Sequence, residues 1–182
     1  MLKKWTIKDS RPAFVNPWWR IMEEDVVLPD GSETKFYVQH NLGAVMIFAL
    51  TDAGEVVLVR QYKHGVREIV TELPVGRIEE EDMSPEVAAR RELEEETGYV
   101  ADAFEEIGAW HIFSTSSTGK FHLFLARDAR ATGKRVTDNP REIIEVQTVS
   151  LPAVRRMLQD GGIAAISQLG GIYAALDHLK KL

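Results

Sequence analysis

The chain contains no cysteine. Disulfides, thiolate metal sites and cysteine nucleophiles are therefore excluded. No apolar run approaches the ~20 residues that a membrane-spanning helix needs. The first residues, MLKKWTIKDS, lack the apolar core of a secretory signal. The expectations are no membrane partner and a cytoplasmic location. Internal repeats, low-complexity tracts and domain linkers are also missing. Basic residues are the minority, 22 against 28 acidic ones, for a net charge of −6. An acidic chain is a poor partner for nucleic acid, whose phosphates demand positive charge. A smaller phosphate-rich ligand would be received only where metal ions or local arginines reverse the field.

What is present is ordinary for a globular protein, with 45% hydrophobic and 27% charged residues in 182. That length suits one domain, taken as 41–182, with an extension over 1–40. The most informative stretch is GRIEEEDMSPEVAARRELEEETGYV, Gly76 to Val100. Its second half reads as a helix: Ser84 suits the N-cap, Pro85 the first helical position, and Gly98 the position past the end. Residues three and four apart share a helix face, so Glu92, Glu95 and Glu96 converge on one stripe. Such a run is most often a solvated helix face. Three features favour a site instead. The carboxylates cluster rather than spread. Arg91 stands beside them as a brace. The tight apolar approach Glu72-Leu73-Pro74-Val75-Gly76 can bring a backbone carbonyl alongside. Repelling carboxylates are best tolerated around a hard divalent cation that prefers oxygen ligands.

Around this stretch the pattern predicts mostly strands. Trp18–Leu28 and Lys35–His40 flank the turn Pro29-Asp30-Gly31-Ser32 and read as a hairpin. Gly43–Leu50 is a continuous apolar run, as for a strand buried on both faces. Val56–Tyr62 follows the turn at Thr51–Gly54 and completes a central hairpin. Glu68–Leu73, Phe104–Phe113, Phe121–Arg127 and a strand beginning at Glu142–Val146 complete the set. Pro152–Asp160 reads as a helix, and Ile166 to Leu179 as an amphipathic one, weakened by Gly170-Gly171. Strands on both sides of one helix, then two closing helices, predict an α+β chain. Several polar and aromatic residues carry two readings. Arg60 is a surface arginine or a bidentate phosphate contact, and Arg67 a weaker candidate of the same kind. Glu72 is a strand-end carboxylate or a substrate contact. Trp18, Trp19 and Phe36 are core or interface aromatics, or faces for stacking on a base or sugar. Lys120 is a solvated lysine or a phosphate contact.

RELEEETG at Arg91–Gly98, with ELPVG upstream, resembles the Nudix box, the signature of hydrolases acting on nucleoside diphosphates linked to another group. The second half matches position by position. In the first half Gly76 lies one residue further upstream than the pattern, and Met83 stands where the pattern has a supporting glutamate. One inserted residue, with Asp82 or Glu81 as the substitute, accounts for both. The resemblance implies an α/β/α sandwich with a mixed central sheet. It implies Mg²⁺ or Mn²⁺ held by Glu92, Glu95, Glu96 and the Val75 carbonyl, with Arg91 holding the carboxylates in place. A glutamate near the start of the last strand supplies a base or further ligand, here Glu142 in preference to Glu145. The V-R-Q-Y at Arg60 is similar to the ADP-ribose branch, whose N-terminal antiparallel sheet swaps across a homodimer and lines the partner's pocket. Trp18, Trp19 and Phe36 would then meet substrate. That branch often carries S-P-G-x-S-D-E where this chain has 114–120 without the proline or the acidic pair. ADP-ribose hydrolysis to AMP and ribose 5-phosphate is the first expectation. GDP-mannose or another nucleotide sugar is the alternative, and a catalytically silent nucleotide sensor the rival outside the enzymes.

Overall fold

The computed structural model describes residues 2–133 and 143–180. They form two compact units. The first comprises the chain to Gly43 with His111–Lys120, and the second Ala44–Trp110 with Phe121 onwards.

The first unit is built on an antiparallel sheet of β1 (Thr6–Val15), β2 (Arg20–Val27) and β3 (Glu33–Gln39), in that order. β2 and β3 are the expected hairpin. Its turn is tied by Asp30 Oδ1, which accepts from the Ser32 N–H at 3.0 Å, while Gly31 takes the left-handed conformation the turn requires. β2 starts only at Arg20. Trp18 and Trp19 therefore sit in the preceding turn, where both backbone N–H groups donate to Asn16 Oδ1. β1 carries little apolar alternation because it pairs through charge. Arg11 reaches across to Asp25 at 2.7 Å and also bonds Glu23. Pro12 is tolerated because β1 is an edge strand with a register shift there. The 111–120 segment joins this unit through Gln39, whose N–H donates to the Ser116 carbonyl at 2.8 Å.

The second unit is a mixed sheet between helices. Its spine runs β11 (Ile144–Ser150), β5 (Glu55–Lys63), β4 (Ala44–Thr51), β10 (Lys120–Ala131) and β8 (Tyr99–Val100). β6 (Glu68–Glu72) pairs with β5, β7 (Val75–Arg77) with β4, and β9 (Ala103–His111) with β10. β4 and β10 run parallel, whereas β10–β8, β11–β5, β4–β5, β4–β7 and β5–β6 run antiparallel. Buried on both faces as its composition predicts, β4 sends Met46, Phe48 and Leu50 to one side and Val45, Ile47 and Ala49 to the other. The first set packs with α2 (Leu151–Gln159) and α3 (Ile166–Lys180). The second packs with the small residues Ala88 and Ala89 and with Leu93 of α1 (Pro85–Thr97). This is the expected α/β/α sandwich of α+β character. The Gly170-Gly171 pair does not break α3. A Cβ on Gly171 would lie 2.3 Å from Met46 Sδ, so the glycine lets the helix pack closely on β4. Among the described residues no helix is long and apolar enough to cross a membrane.

Candidate functional site

The site lies in the second unit, where α1 crosses the β6–β7 segment. The helix is capped as its sequence predicts. Ser84 Oγ accepts from the Val87 N–H at 3.3 Å, and Gly98 is left-handed at φ 69°. This punctuation fixes the rotation of α1 and so decides which glutamates face the sheet.

Arg91 is the hub. Its guanidinium donates to Asp82 Oδ2 at 2.8 Å and Oδ1 at 3.2 Å. It also donates to Glu92 at 2.8 Å, Glu95 at 3.1 Å and the Arg77 carbonyl at 3.0 Å. The Arg91 guanidinium holds the Asp82 carboxyl below the usual aspartate range, and those bonds raise the arginine in turn. Asp82 Oδ2 also accepts from the Glu79 N–H at 2.9 Å, closing the loop before the helix. The one-residue departure in the sequence pattern thus has a structural account. Met83 is exposed, Glu81 is exposed, and Asp82 is the residue that faces Arg91.

Glu96 turns the other way. Its carboxylate accepts the Val75 N–H at 3.0 Å, which ties α1 to β7. Burial first, then the nearby charges of Glu92 and Glu72, push its carboxyl up to about 7, against the pull of that N–H. Burial likewise raises Glu92, with Arg91 opposing it. Gly76 lies directly under Glu92: a Cβ there would fall 1.8 Å from the Glu92 carboxyl carbon. Any larger residue would displace that carboxylate. On β6, Glu72 is buried and pairs with Lys63 Nζ at 3.3 Å.

The metal-free arrangement is not a ready-made cage: among the described residues no group of three acidic or histidine side chains is placed to hold an ion. Glu92 and Glu95 are drawn to Arg91, and Glu96 to Val75. The donor set nevertheless fits a hard divalent cation. All the donors are oxygens, the charges of Glu92 and Glu72 push the Glu96 carboxyl up, and Gly76 leaves room only for the Glu92 carboxylate.

The other candidates lie apart from this group or outside the described residues. Arg60 on β5 donates to Glu145 on β11 at 3.1 Å, an exposed cross-strand pair. Strand alternation sets Arg60 and Tyr62 on the face opposite to Val59 and its cross-strand neighbour Glu72. Arg67 is exposed in the β5–β6 turn with φ 60°. Trp18 and Trp19 are exposed in the first unit, and Phe36 packs edge-on against Trp5 at 5.6 Å. Lys120 is exposed, and Glu142 lies outside the described residues. Two residues near the site gave no sequence signal. Gln61 is buried on β5 two positions from Val59, with Nε2 lacking a hydrogen-bond partner among the described residues. Gln168 is buried in α3 and bonds the backbone of Leu73. Each is an isolated amide in an apolar pattern, and only tertiary pairing reveals it.

Comparison with known proteins places the chain among relatives of one family and one fold. The NUDIX domain family model matches residues 40–167. An ADP-ribose pyrophosphatase of Bacillus subtilis (strain 168) is 32% identical over 136 residues, covering 75% of this chain and 73% of that protein. A methanol dehydrogenase activator of Bacillus methanolicus is 35% identical over 112 residues, 59% of this chain and 58% of that one. The crystal structure of an ADP compounds hydrolase aligns with a TM-score of 0.85, covering 100% of this chain and 97% of its own, at 21% identity. At that identity the likeness speaks for the fold.

Proposed function

The chain belongs to the Nudix family of hydrolases, and from that premise we propose that it cleaves the pyrophosphate bond of a nucleoside diphosphate linked to a sugar, with ADP-ribose as the preferred substrate and a divalent metal as cofactor. The observation that carries the proposal is the Arg91-centred carboxylate group on α1, with Gly76 opened beneath Glu92. Glu92, Glu95, Glu96 and the Val75 carbonyl would hold Mg²⁺ or Mn²⁺. When bound, the metal supplies charge neutralisation for the diphosphate and a water of lowered pKa.

The chain's own residues do the rest. Arg91 gathers Glu92 and Glu95 and anchors them to Asp82, so that mutual repulsion does not scatter them. Glu96 fixes the β7 backbone through the Val75 N–H. Its half-buried carboxyl, raised to about 7 chiefly by desolvation, would release its proton on holding a cation. Arg60, Arg67 and Glu72 remain the proposed substrate contacts, and Glu142 the proposed base. The name of the Bacillus subtilis relative supports ADP-ribose over a nucleotide sugar.

The test is release of phosphomonoester from ADP-ribose and from GDP-mannose with Mg²⁺. AMP and ribose 5-phosphate formed at least tenfold faster than products of GDP-mannose is the expected result. The reverse order would replace the substrate, and no turnover of either would sink the enzyme reading.

We also propose that the first unit mediates a homodimer, as its exposed Trp5, Ile7, Phe14, Trp18, Trp19 and Tyr37 suggest. Sedimentation should give twice the chain mass for the wild type and a monomer for Phe14→Asp. A wild-type monomer at micromolar concentration would remove this proposal.

A further inference from the structure

We infer that Gln168 is a positioning residue for the metal-holding backbone at Val75, acting through Leu73. The inference rests on the reading of Val75 and Glu96 as metal-holding groups. Gln168 is 1% exposed, the one polar side chain among the buried residues of α3. Its Oε1 accepts the Leu73 N–H at 2.9 Å, and its Nε2 donates to the Leu73 carbonyl at 3.5 Å. An amide presented in this way substitutes for a neighbouring strand, just where β6 has ended and β7 has not begun. Without it a buried N–H and a buried carbonyl would lose their partners.

The clamp acts on a short, otherwise constrained segment. One residue on, the Pro74 carbonyl accepts the Ile47 N–H of β4 at 2.9 Å. Two residues on, the Val75 N–H donates to Glu96 at 3.0 Å. The backbone from Leu73 to Val75 is thus fixed from α3, from β4 and from α1 in succession. The next peptide plane, which carries the Val75 carbonyl, follows directly and is held by the pairing of Val75 and Gly76 with Met46 and Val45 of β4. Gly171, one helical turn beyond Gln168, belongs to the same device. Its missing side chain admits Met46, the β4 residue that pairs with Val75, and so brings α3 close enough for the amide to reach Leu73. An apolar residue at position 168 would serve the core as well; the amide serves the segment that leads to Val75. Losing such an outer support typically weakens metal affinity 10–100-fold.

The experiment titrates Mn²⁺ into full-length protein by electron paramagnetic resonance and measures the Mg²⁺ activation constant in parallel. The chains are wild type, Gln168→Met, Gln168→Glu and Ile172→Val. Ile172→Val trims the same helix face and the same core cluster while leaving both hydrogen bonds between Gln168 and Leu73 in place. The expected result is Mn²⁺ binding weakened about tenfold in Gln168→Met, with the activation constant raised in step. The turnover of Gln168→Met should recover at saturating Mg²⁺. Gln168→Glu, whose carboxyl still accepts the Leu73 N–H, should recover most of the affinity, and Ile172→Val should bind as wild type does. Wild-type affinity in Gln168→Met, or an equal loss in Ile172→Val, overturns the positioning role while leaving the metal site intact. Failure of both Gln168 variants to fold makes the residue a folding requirement only and also overturns it. Failure of the wild type to bind Mn²⁺ removes the metal site, and the inference with it.

Discussion

Glu96→Gln is expected to fold, to keep its bond to Val75, and to lose pyrophosphate hydrolysis by on the order of 10³-fold. The glutamine Oε1 replaces the carboxylate oxygen that accepts the Val75 N–H, so the tie between α1 and β7 survives. What disappears is the charge. The loss should therefore fall on kcat and on metal affinity, with little change in fold. The same substitution should raise the stability of the metal-free protein at neutral pH. The Glu96 carboxyl rises from its ordinary 4.5 to about 7 because burial disfavours the ionised form. A carboxyl raised in the folded state contributes its full stability below its unfolded pKa. That contribution is lost as pH climbs from about 4.5 through about 7. In EDTA the wild type should lose about 3 kcal/mol over that window. Glu96→Gln should show a flatter curve. Urea unfolding at pH 5 and pH 8, with turnover assays alongside, tests both halves. Full activity in the variant, or parallel pH curves for the two chains, would sink the assignment of Glu96 as a buried metal-holding carboxylate.

That result would also show how far chemistry can be read from local sequence. Helix α1 and its caps were legible because every signal is local. Ser84, Pro85 and Gly98 act within one turn of themselves, and the glutamate spacing is helical geometry. β4 was legible because an unbroken apolar run of strand length has few other fates. Legibility failed where partners are distant in sequence. β1 is held by Arg11 against Glu23 and Asp25, and no alternation announces it. Trp18 and Trp19 carry β propensity, yet Asn16 caps their backbone into a turn, and the local hydrogen bonds outweigh the propensity. The pair Gly170-Gly171 read as a helix weakness, yet Gly171 is a packing contact, because only the sheet supplies Met46. Arg60 illustrates the same limit at the site. Its side chain suits phosphate, but its neighbour in space is Glu145, 85 residues away.

Arg91 carries the second large effect, and its sign follows from the company it keeps. Asp82 is nearly enclosed at 5% side-chain exposure, and Glu92 at 12%; both depend on this guanidinium. Arg91→Ala leaves these carboxylates and Glu95 without their shared counter-ion. Breaking a partly buried pair from one side typically costs about 3 kcal/mol. The melting temperature should fall by roughly 6–12 °C for a chain of this size. Arg91→Lys should recover less than half, since a single ammonium cannot serve Asp82, Glu92, Glu95 and the Arg77 carbonyl together. The deficit depends on pH. Arg91 holds Asp82 below its ordinary 3.8. That stabilisation is present above the unfolded pKa and lost as pH falls through the lowered folded value. The gap between wild type and Arg91→Ala should therefore be full at neutral pH and narrow steadily below about pH 4. Added Mg²⁺ should narrow it from the other direction, since a cation among Glu92, Glu95 and Glu96 relieves the repulsion that Arg91 normally offsets. Melting curves across pH 3–7, with and without Mg²⁺, separate these effects. A gap that is small at neutral pH would mean that the carboxylates stay solvated and that Arg91 is no hub. A gap that persists unchanged in acid would place the loss in packing by the guanidinium stem rather than in charge.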